Sequence, residues 1–139
     1  MRNAGERERD GAARKRLGDA GERLAAAWLE EHGYRVLARN WRCPYGELDL
    51  VVEREGELVF VEVKTRRGDR LGAPEEAVTA AKRRHLVASA AAYLDAEGAS
   101  SASGGLDRPY RIDVIAVDLA PSGRLLGLRH FPACVGEEG

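Results

Sequence analysis

Two short apolar runs joined by a polar turn constrain this chain more than any other feature. Leu48–Val52 is an apolar run that carries one acid, Asp49. Leu58–Lys64 alternates strictly, with Val59, Val61 and Val63 on one face and Leu58, Phe60, Glu62 and Lys64 on the other. Glu53-Arg54-Glu55-Gly56-Glu57 lies between them, with a glycine placed to supply the positive φ of a tight hairpin turn. With Glu55 and Gly56 as the loop residues, counting back along both strands sets Asp49 opposite Glu62 and Glu47 opposite Lys64. Directly opposed side chains share a face at about 5 Å between Cβ atoms.

Two carboxylates face to face repel unless something neutralises them. A divalent cation would do so. Hard oxygen donors at short range suit Mg²⁺, with Mn²⁺ as a substitute, held by carboxylates, waters and a substrate phosphate. Lys64, two residues beyond Glu62, points to the same side, where an ammonium can orient a water or stabilise charge on a phosphoryl oxygen. Asp49, Glu62 and Lys64 together are the parts of a metal-assisted phosphodiester hydrolase. The competing reading is a charged strand end facing water. Two features weigh against it. Both strands read as buried on both faces, so the charges stand at the edge of a core. The chain also has nineteen arginines and only three lysines, so a lysine at 64 suggests a need for a compact point charge rather than a guanidinium fork.

The length of 139 residues suits one domain with a single core. Net charge is −1, which excludes a global basic field, so any nucleic-acid contact has to come from local patches. Cys43 and Cys134 are far apart and in no metal-binding spacing, which reads as unpaired thiols in a reducing cytosol. No apolar stretch is long enough to span a bilayer, and the charged start lacks a signal-peptide core. A cytoplasmic protein without a membrane partner is the expectation.

Residues 1–16 are charged without apolar period and read as a disordered segment. A domain is expected over 17–131 and a tail over 132–139. The first helix is predicted over Leu17–His32, with Asp19 as N-cap and Gly33 as its stop. Glu22 has two readings: the third position of a capping box begun at Asp19, or a further acid pointing into the hairpin site. A strand follows over Tyr34–Arg42. The loop from Trp41 to Gly46 either stacks on a base or pins a turn to the core. Beyond the hairpin, Lys64, Arg66, Arg67 and Arg70 put four cations in seven residues, where a phosphate backbone would arrive.

A second helix is predicted over Pro74–Leu94, opening on Pro74-Glu75-Glu76. On it Lys82 stands on the face of Val78, Leu86, Ser89 and Tyr93, and either reaches the site or a phosphate, or snorkels along the core edge. Arg83 and Arg84 extend a local basic patch. Asp95–Pro109 is Gly/Ser-rich and reads as a flexible connection. Strands are expected over Tyr110–Leu119 and Arg124–Phe131. Asp113 either joins the acids or pairs with Arg111. The order α-β-β-β-α-β-β, with the second helix as crossover, implies an α/β fold with a mixed β-sheet flanked by helices.

The pattern Asp49-x(12)-Glu62-Val63-Lys64 in a hairpin after a helix resembles the restriction-endonuclease-like superfamily, the PD-(D/E)xK nucleases. More closely, the chain resembles the YraN-like family of bacterial proteins. The matching text is Gly21-Glu22, Gly33-Tyr34-x-Val36-Leu37, Arg39-Asn40, Gly46-Glu47-Leu48-Asp49-Leu50, Phe60-Val61-Glu62-Val63-Lys64, Lys82 and Arg111-Ile112-Asp113-Val114. Archaeal Holliday junction resolvases share this architecture. The resemblance implies a metal site of Glu22, Asp49 and Glu62 with the Val63 carbonyl, and Lys64 as the catalytic lysine. It implies a Mg²⁺-dependent endonuclease acting on DNA, branched DNA such as a Holliday junction being a candidate substrate and a homodimer a fitting assembly. Arg66, Arg67, Arg70, Lys82 and Arg83 would hold the nucleic-acid backbone. The rival expectation is a non-catalytic module of the same fold that binds nucleic acid or a protein partner.

Overall fold

A computed structural model describes residues 3–68, 79–100 and 109–135. The elements run α1 (Ala4–Glu31), β1 (Arg35–Cys43), β2 (Gly46–Arg54), β3 (Glu57–Arg67), α2 (Ala80–Ser100), β4 (Tyr110–Leu119) and β5 (Leu125–Val135). The five strands form one sheet in the order β1-β2-β3-β4-β5. β3 and β4 are parallel and the other neighbours antiparallel. The mixed sheet and the expected element order are therefore both present. The parallel step needs a crossover, and α2 supplies it.

The hairpin forms as its turn chemistry dictates. Glu55 and Gly56 both have positive φ, 52° and 84°, the pair of left-handed residues that a type I′ turn requires. Its register sets Arg54 against Glu57 and Leu50 against Val61, as counting back from the turn predicts. Side chains on the two faces of the sheet then form two cores. Leu50, Val52, Val59 and Val61 pack with Ala25, Ala26 and Leu29 of α1. Val51, Leu58 and Phe60 pack with Leu86, Ala90, Tyr93 and Leu94 of α2.

Three boundaries differ from expectation, each for a local reason. The first helix starts at Ala4, inside the segment expected to be disordered, and Asn3 caps it by accepting from the Glu6 N–H at 2.8 Å. Residues 4–16 lack an apolar stripe but are rich in Ala, Arg, Glu and Lys, which favour helix on propensity alone. Asp19 is consequently inside the helix, salt-bridged to Lys15 one turn back, and caps nothing. The Pro74-Glu75-Glu76 opening lies outside the described residues. Within them, the Thr79 hydroxyl accepts from the Lys82 N–H at the start of α2, as an N-cap does. α2 then runs on through Ser100, into the stretch expected to be a flexible connection. β5 likewise continues past Pro132 to Val135. It is an edge strand, where a residue without an N–H is tolerated.

Candidate metal and nucleic-acid site

The site is built where β2 and β3 part company. Pairing between them ends at Leu50–Val61. Leu48 packs in the α2-side core with Val51, while Leu50 and Val52 pack on the α1 side, so strict alternation breaks between 48 and 51. The Val63 N–H donates to Asp49 Oδ2 at 2.8 Å, a side chain taking the place of a ladder carbonyl. N–H and C=O of one strand residue point the same way, so the Val63 carbonyl is aimed into the same opening. Neither expected opposition, Asp49 to Glu62 or Glu47 to Lys64, is part of the ladder: Asp49 and Glu62 still meet through their side chains, while Glu47 pairs with Arg42 of β1, whose Nε donates to its carboxylate at 2.9 Å.

Glu22 reaches this opening because α1 runs unusually close to β3. A Cβ built on Gly21 would lie 1.8 Å from Thr65 Oγ1 and 2.8 Å from Thr65 Cβ, so only glycine permits the approach. The next residue, Glu22, is thereby carried to the mouth of the hairpin. With Asp19 inside the helix, the capping-box reading of Glu22 falls away. One carboxylate oxygen from each of Glu22, Glu47 and Asp49 lies within 4.8 Å of the others. The Asn40 side chain, on a residue with φ of 51°, hydrogen-bonds Glu22 from β1. Asparagine adopts that left-handed conformation more readily than other side chains.

The electrostatics record how crowded the acids are. Burial pushes Asp49 up to about 8, and the negative charges of Glu62 and Glu22 add to the rise, against the lowering effect of the Val63 N–H. Burial also raises Glu22, with Glu47 the next cause. Glu62 is 6% exposed. Its Oε2 meets Lys82 Nζ at 3.1 Å, while Oε1 is buried with no hydrogen-bond partner among the described residues. Two ionised carboxylates cannot donate to one another, so Asp49 and Glu62 share a hydrogen bond only when a proton sits between them. A buried carboxylate oxygen without a partner is costly, and a hard cation would satisfy it. The donors are all oxygen, which suits Mg²⁺, Mn²⁺ or Ca²⁺ and disfavours a soft metal.

Lys64 shares Glu62's side of β3 and forms no ion pair among the described residues. It is half-buried. Lys82, on α2, forms an ion pair with Glu62, so its head group meets the acids instead of lying free along the core edge. Arg66 and Arg67 line an open cleft of about 400 Å³ with Leu17 and Thr65. Arg83 is exposed on the first turn of α2. Arg70 lies outside the described residues. Of the aromatics in the loop before β2, Trp41 packs edge-on against Tyr93 at 5.2 Å, while Tyr45 is 55% exposed.

Asp113 belongs to a different network. It is wholly buried and accepts from Arg111 Nε at 3.0 Å, His130 Nε2 at 2.7 Å and the Ala133 N–H at 2.8 Å. Burial alone would raise it, but these donors outweigh burial and hold its carboxyl below the usual range. The pairing with Arg111, not membership of the acid cluster, is the reading that stands. Glu47 is the member that reading the hairpin register missed. The signal was its place in Gly46-Glu47-Leu48-Asp49, two residues before Asp49 and so on the same side of a regular strand.

A family model described as uncharacterised protein family UPF0102 matches residues 21–117. The chain belongs to this family. The match contains Glu22, Glu47, Asp49, Glu62 and Lys64. A UPF0102 protein of Roseiflexus castenholzii is 46% identical over 124 residues, covering 89% of this chain and 96% of the relative. One from Symbiobacterium thermophilum is 50% identical over 111 residues, covering 80% and 89%. One from Beutenbergia cavernae is 51% identical over 106 residues, covering 76% and 84%. The resemblance to YraN-like proteins is thereby established at the level of the family. Among the described residues, no helix is long and apolar enough to cross a membrane.

Proposed function

We propose that this protein is a Mg²⁺-dependent endonuclease that hydrolyses phosphodiester bonds in DNA. The carrying observation is the partnerless buried oxygen of Glu62, set beside an Asp49 that burial and its acidic neighbours push up to about 8. Asp49, Glu62 and the Val63 carbonyl would hold the ion, with Glu22 and Glu47 taking a bound water or a second ion. The ion would polarise the phosphoryl oxygen and ease deprotonation of a bound water. Lys64, which forms no ion pair among the described residues, would orient the attacking water and offset negative charge gathering on the phosphoryl oxygens. Arg66 and Arg67 lie two and three residues beyond it on β3, where they can hold the adjoining phosphates, with Arg83 flanking from α2. A branched substrate such as a four-way junction has two-fold symmetry and would suit a homodimer.

One observation favours a second reading, a module of this fold that binds nucleic acid or protein without cutting it. Lys82 already supplies Glu62 with a positive charge, so half of the acid pair is neutralised without metal. Incubating the purified protein with Mg²⁺ or Mn²⁺ and labelled duplex, single-strand, flap and four-way-junction DNA separates the two. Metal-dependent cleavage of any of them establishes the enzyme. Binding without cleavage, together with no calorimetric uptake of Mn²⁺, establishes the module.

A further inference from the structure

A second cleft opens at the turn end of the hairpin, away from the carboxylates. Trp28, His32, Tyr34, Arg54, Arg111 and His130 line it, and it holds about 390 Å³. That is within the range of pockets that enclose small planar ligands. We propose that this cleft is a nucleobase pocket, which takes one unpaired base of the strand whose backbone passes the carboxylate site.

The walls are flat and aromatic. The rings of Trp28 and His32 stack with centroids 3.8 Å apart, and His130 meets Trp28 edge-on at 5.3 Å. The Arg54 guanidinium lies over the Tyr34 ring at 4.3 Å. Its side chain is 41% exposed, which leaves the outer face of that cation open to a further ring. Unpaired bases are held by stacking of this kind, on aromatic rings and on arginine planes.

The floor carries both hydrogen-bond polarities. Arg111 spends three of its five N–H groups internally, on Asp113, on Glu57 at 2.6 Å and on the Tyr34 hydroxyl at 2.8 Å, and two remain. Asp113 is held below its ordinary range and so stays ionised and can only accept. His130 Nε2 must therefore carry the proton in their 2.7 Å contact, and in that tautomer Nδ1 is the ring's acceptor. Donor and acceptor side by side match a base edge. Charge points the same way: Glu55 faces Arg54, and Glu57 and Asp113 face Arg111, which favours a neutral ring over a bare phosphate.

Position links the cleft to the strand. Trp28 and His32 stand ~9 and ~15 Å along α1 from Glu22 at 1.5 Å per residue. A stacked strand advances 3.4 Å per nucleotide, so the captured base lies about three to four nucleotides from the phosphate at the carboxylates. This role depends on the nuclease reading for its strand, though not for its stacking chemistry.

The test uses the full chain carrying Trp41→Phe, which leaves Trp28 as its single tryptophan. It is titrated in EDTA with three probes: a dye-labelled single-stranded dA twelve-mer, an abasic twelve-mer and free dAMP. The expected result is saturable quenching of Trp28 by the dA strand, no quenching by the abasic strand, and an affinity loss of about tenfold in Arg54→Ala. Arg54 is exposed, so that variant reports on the pocket even if Trp28→Ala fails to fold. Anisotropy that rises without quenching, or an Arg54→Ala affinity equal to the parent's, overturns the proposal. So does binding of none of the three probes, and so does dAMP binding as tightly as the strand, which would make the cleft a free-nucleotide site. Metal-dependent cleavage with no quenching sinks the pocket alone. Quenching with no cleavage by the metal-loaded protein sinks the nuclease alone.

Discussion

Asp49 Oδ2 accepts the Val63 N–H at 2.8 Å, at the point where β2 stops pairing with β3. This contact makes the opening a site. It pins a carboxylate that burial and its acidic neighbours push up to about 8, and it holds the strand parting open.

The stability of the metal-free protein should therefore carry an inverted pH dependence at this position. The folded state retains a proton on Asp49 that the unfolded chain, at 3.8, has released. Between about pH 4 and about pH 8 the native state binds more protons than the unfolded one, so stability falls as pH rises through that window. Glu22, raised for the same reasons, acts in the same direction. Asp49→Asn keeps an acceptor for Val63 and cannot ionise. In urea unfolding with EDTA, the variant should be more stable than the parent at pH 8 and equal to it near pH 4. Millimolar Mn²⁺ should stabilise the parent alone.

Gly21→Ala should damage both fold and site. An alanine Cβ would overlap Thr65, whose Cβ is backbone-fixed at 2.8 Å, so α1 has to lift from β3. Overpacking of this kind costs about 1–3 kcal/mol, more than the gain in helix propensity from replacing glycine. Thr65→Ala removes the 1.8 Å contact but not the Cβ overlap, and should restore the double variant only in part. Chemical unfolding and Mn²⁺ affinity, measured on the same samples, should fall together.

Glu47→Gln should weaken Mn²⁺ binding by about tenfold through the loss of one negative charge from the ligand set, with little change in stability. The readout is calorimetric titration with Mn²⁺. An unchanged affinity would remove Glu47 from the site and leave it as Arg42's surface partner.

The hairpin was legible in the sequence because every local signal agreed there. The alternation of 58–64, the glycine at 56 and the apolar run 48–52 all specify one register, and the ladder from Arg54–Glu57 to Leu50–Val61 has it. What could not be read is where that ladder would stop. A side chain capturing a backbone N–H is a tertiary event with no period, so Glu47 was set against Lys64 instead of beside Asp49. The start of α1 was missed for a different reason. Apolar periodicity finds helices that bury a face, and residues 4–16 form helix on propensity and an Asn3 cap without burying one. Asp113 had two partners open to it in sequence, and the choice was made by His130 and Ala133 from β5, far along the chain.

Asp113→Asn should destabilise the fold by ~3 kcal/mol, the scale of stranding one partner of a buried ion pair, because the amide cannot satisfy Arg111, His130 and Ala133 together. Asp113's own carboxyl is lowered. Its contribution is present above the unfolded value of 3.8 and is lost as pH falls below it. Parent and variant should therefore converge on acidification below about pH 4, the opposite trend to Asp49→Asn.

The most direct measurement of the central claim is cleavage of a labelled four-way junction and its matched duplex in Mg²⁺, with Lys64→Ala run beside the parent protein. Cutting that needs Mg²⁺ and falls at least ~100-fold in Lys64→Ala, while Mn²⁺ uptake by the variant stays intact, is the predicted result. Cleavage undiminished in Lys64→Ala, or no cleavage by a parent protein that binds the DNA and takes up no Mn²⁺, would contradict the account.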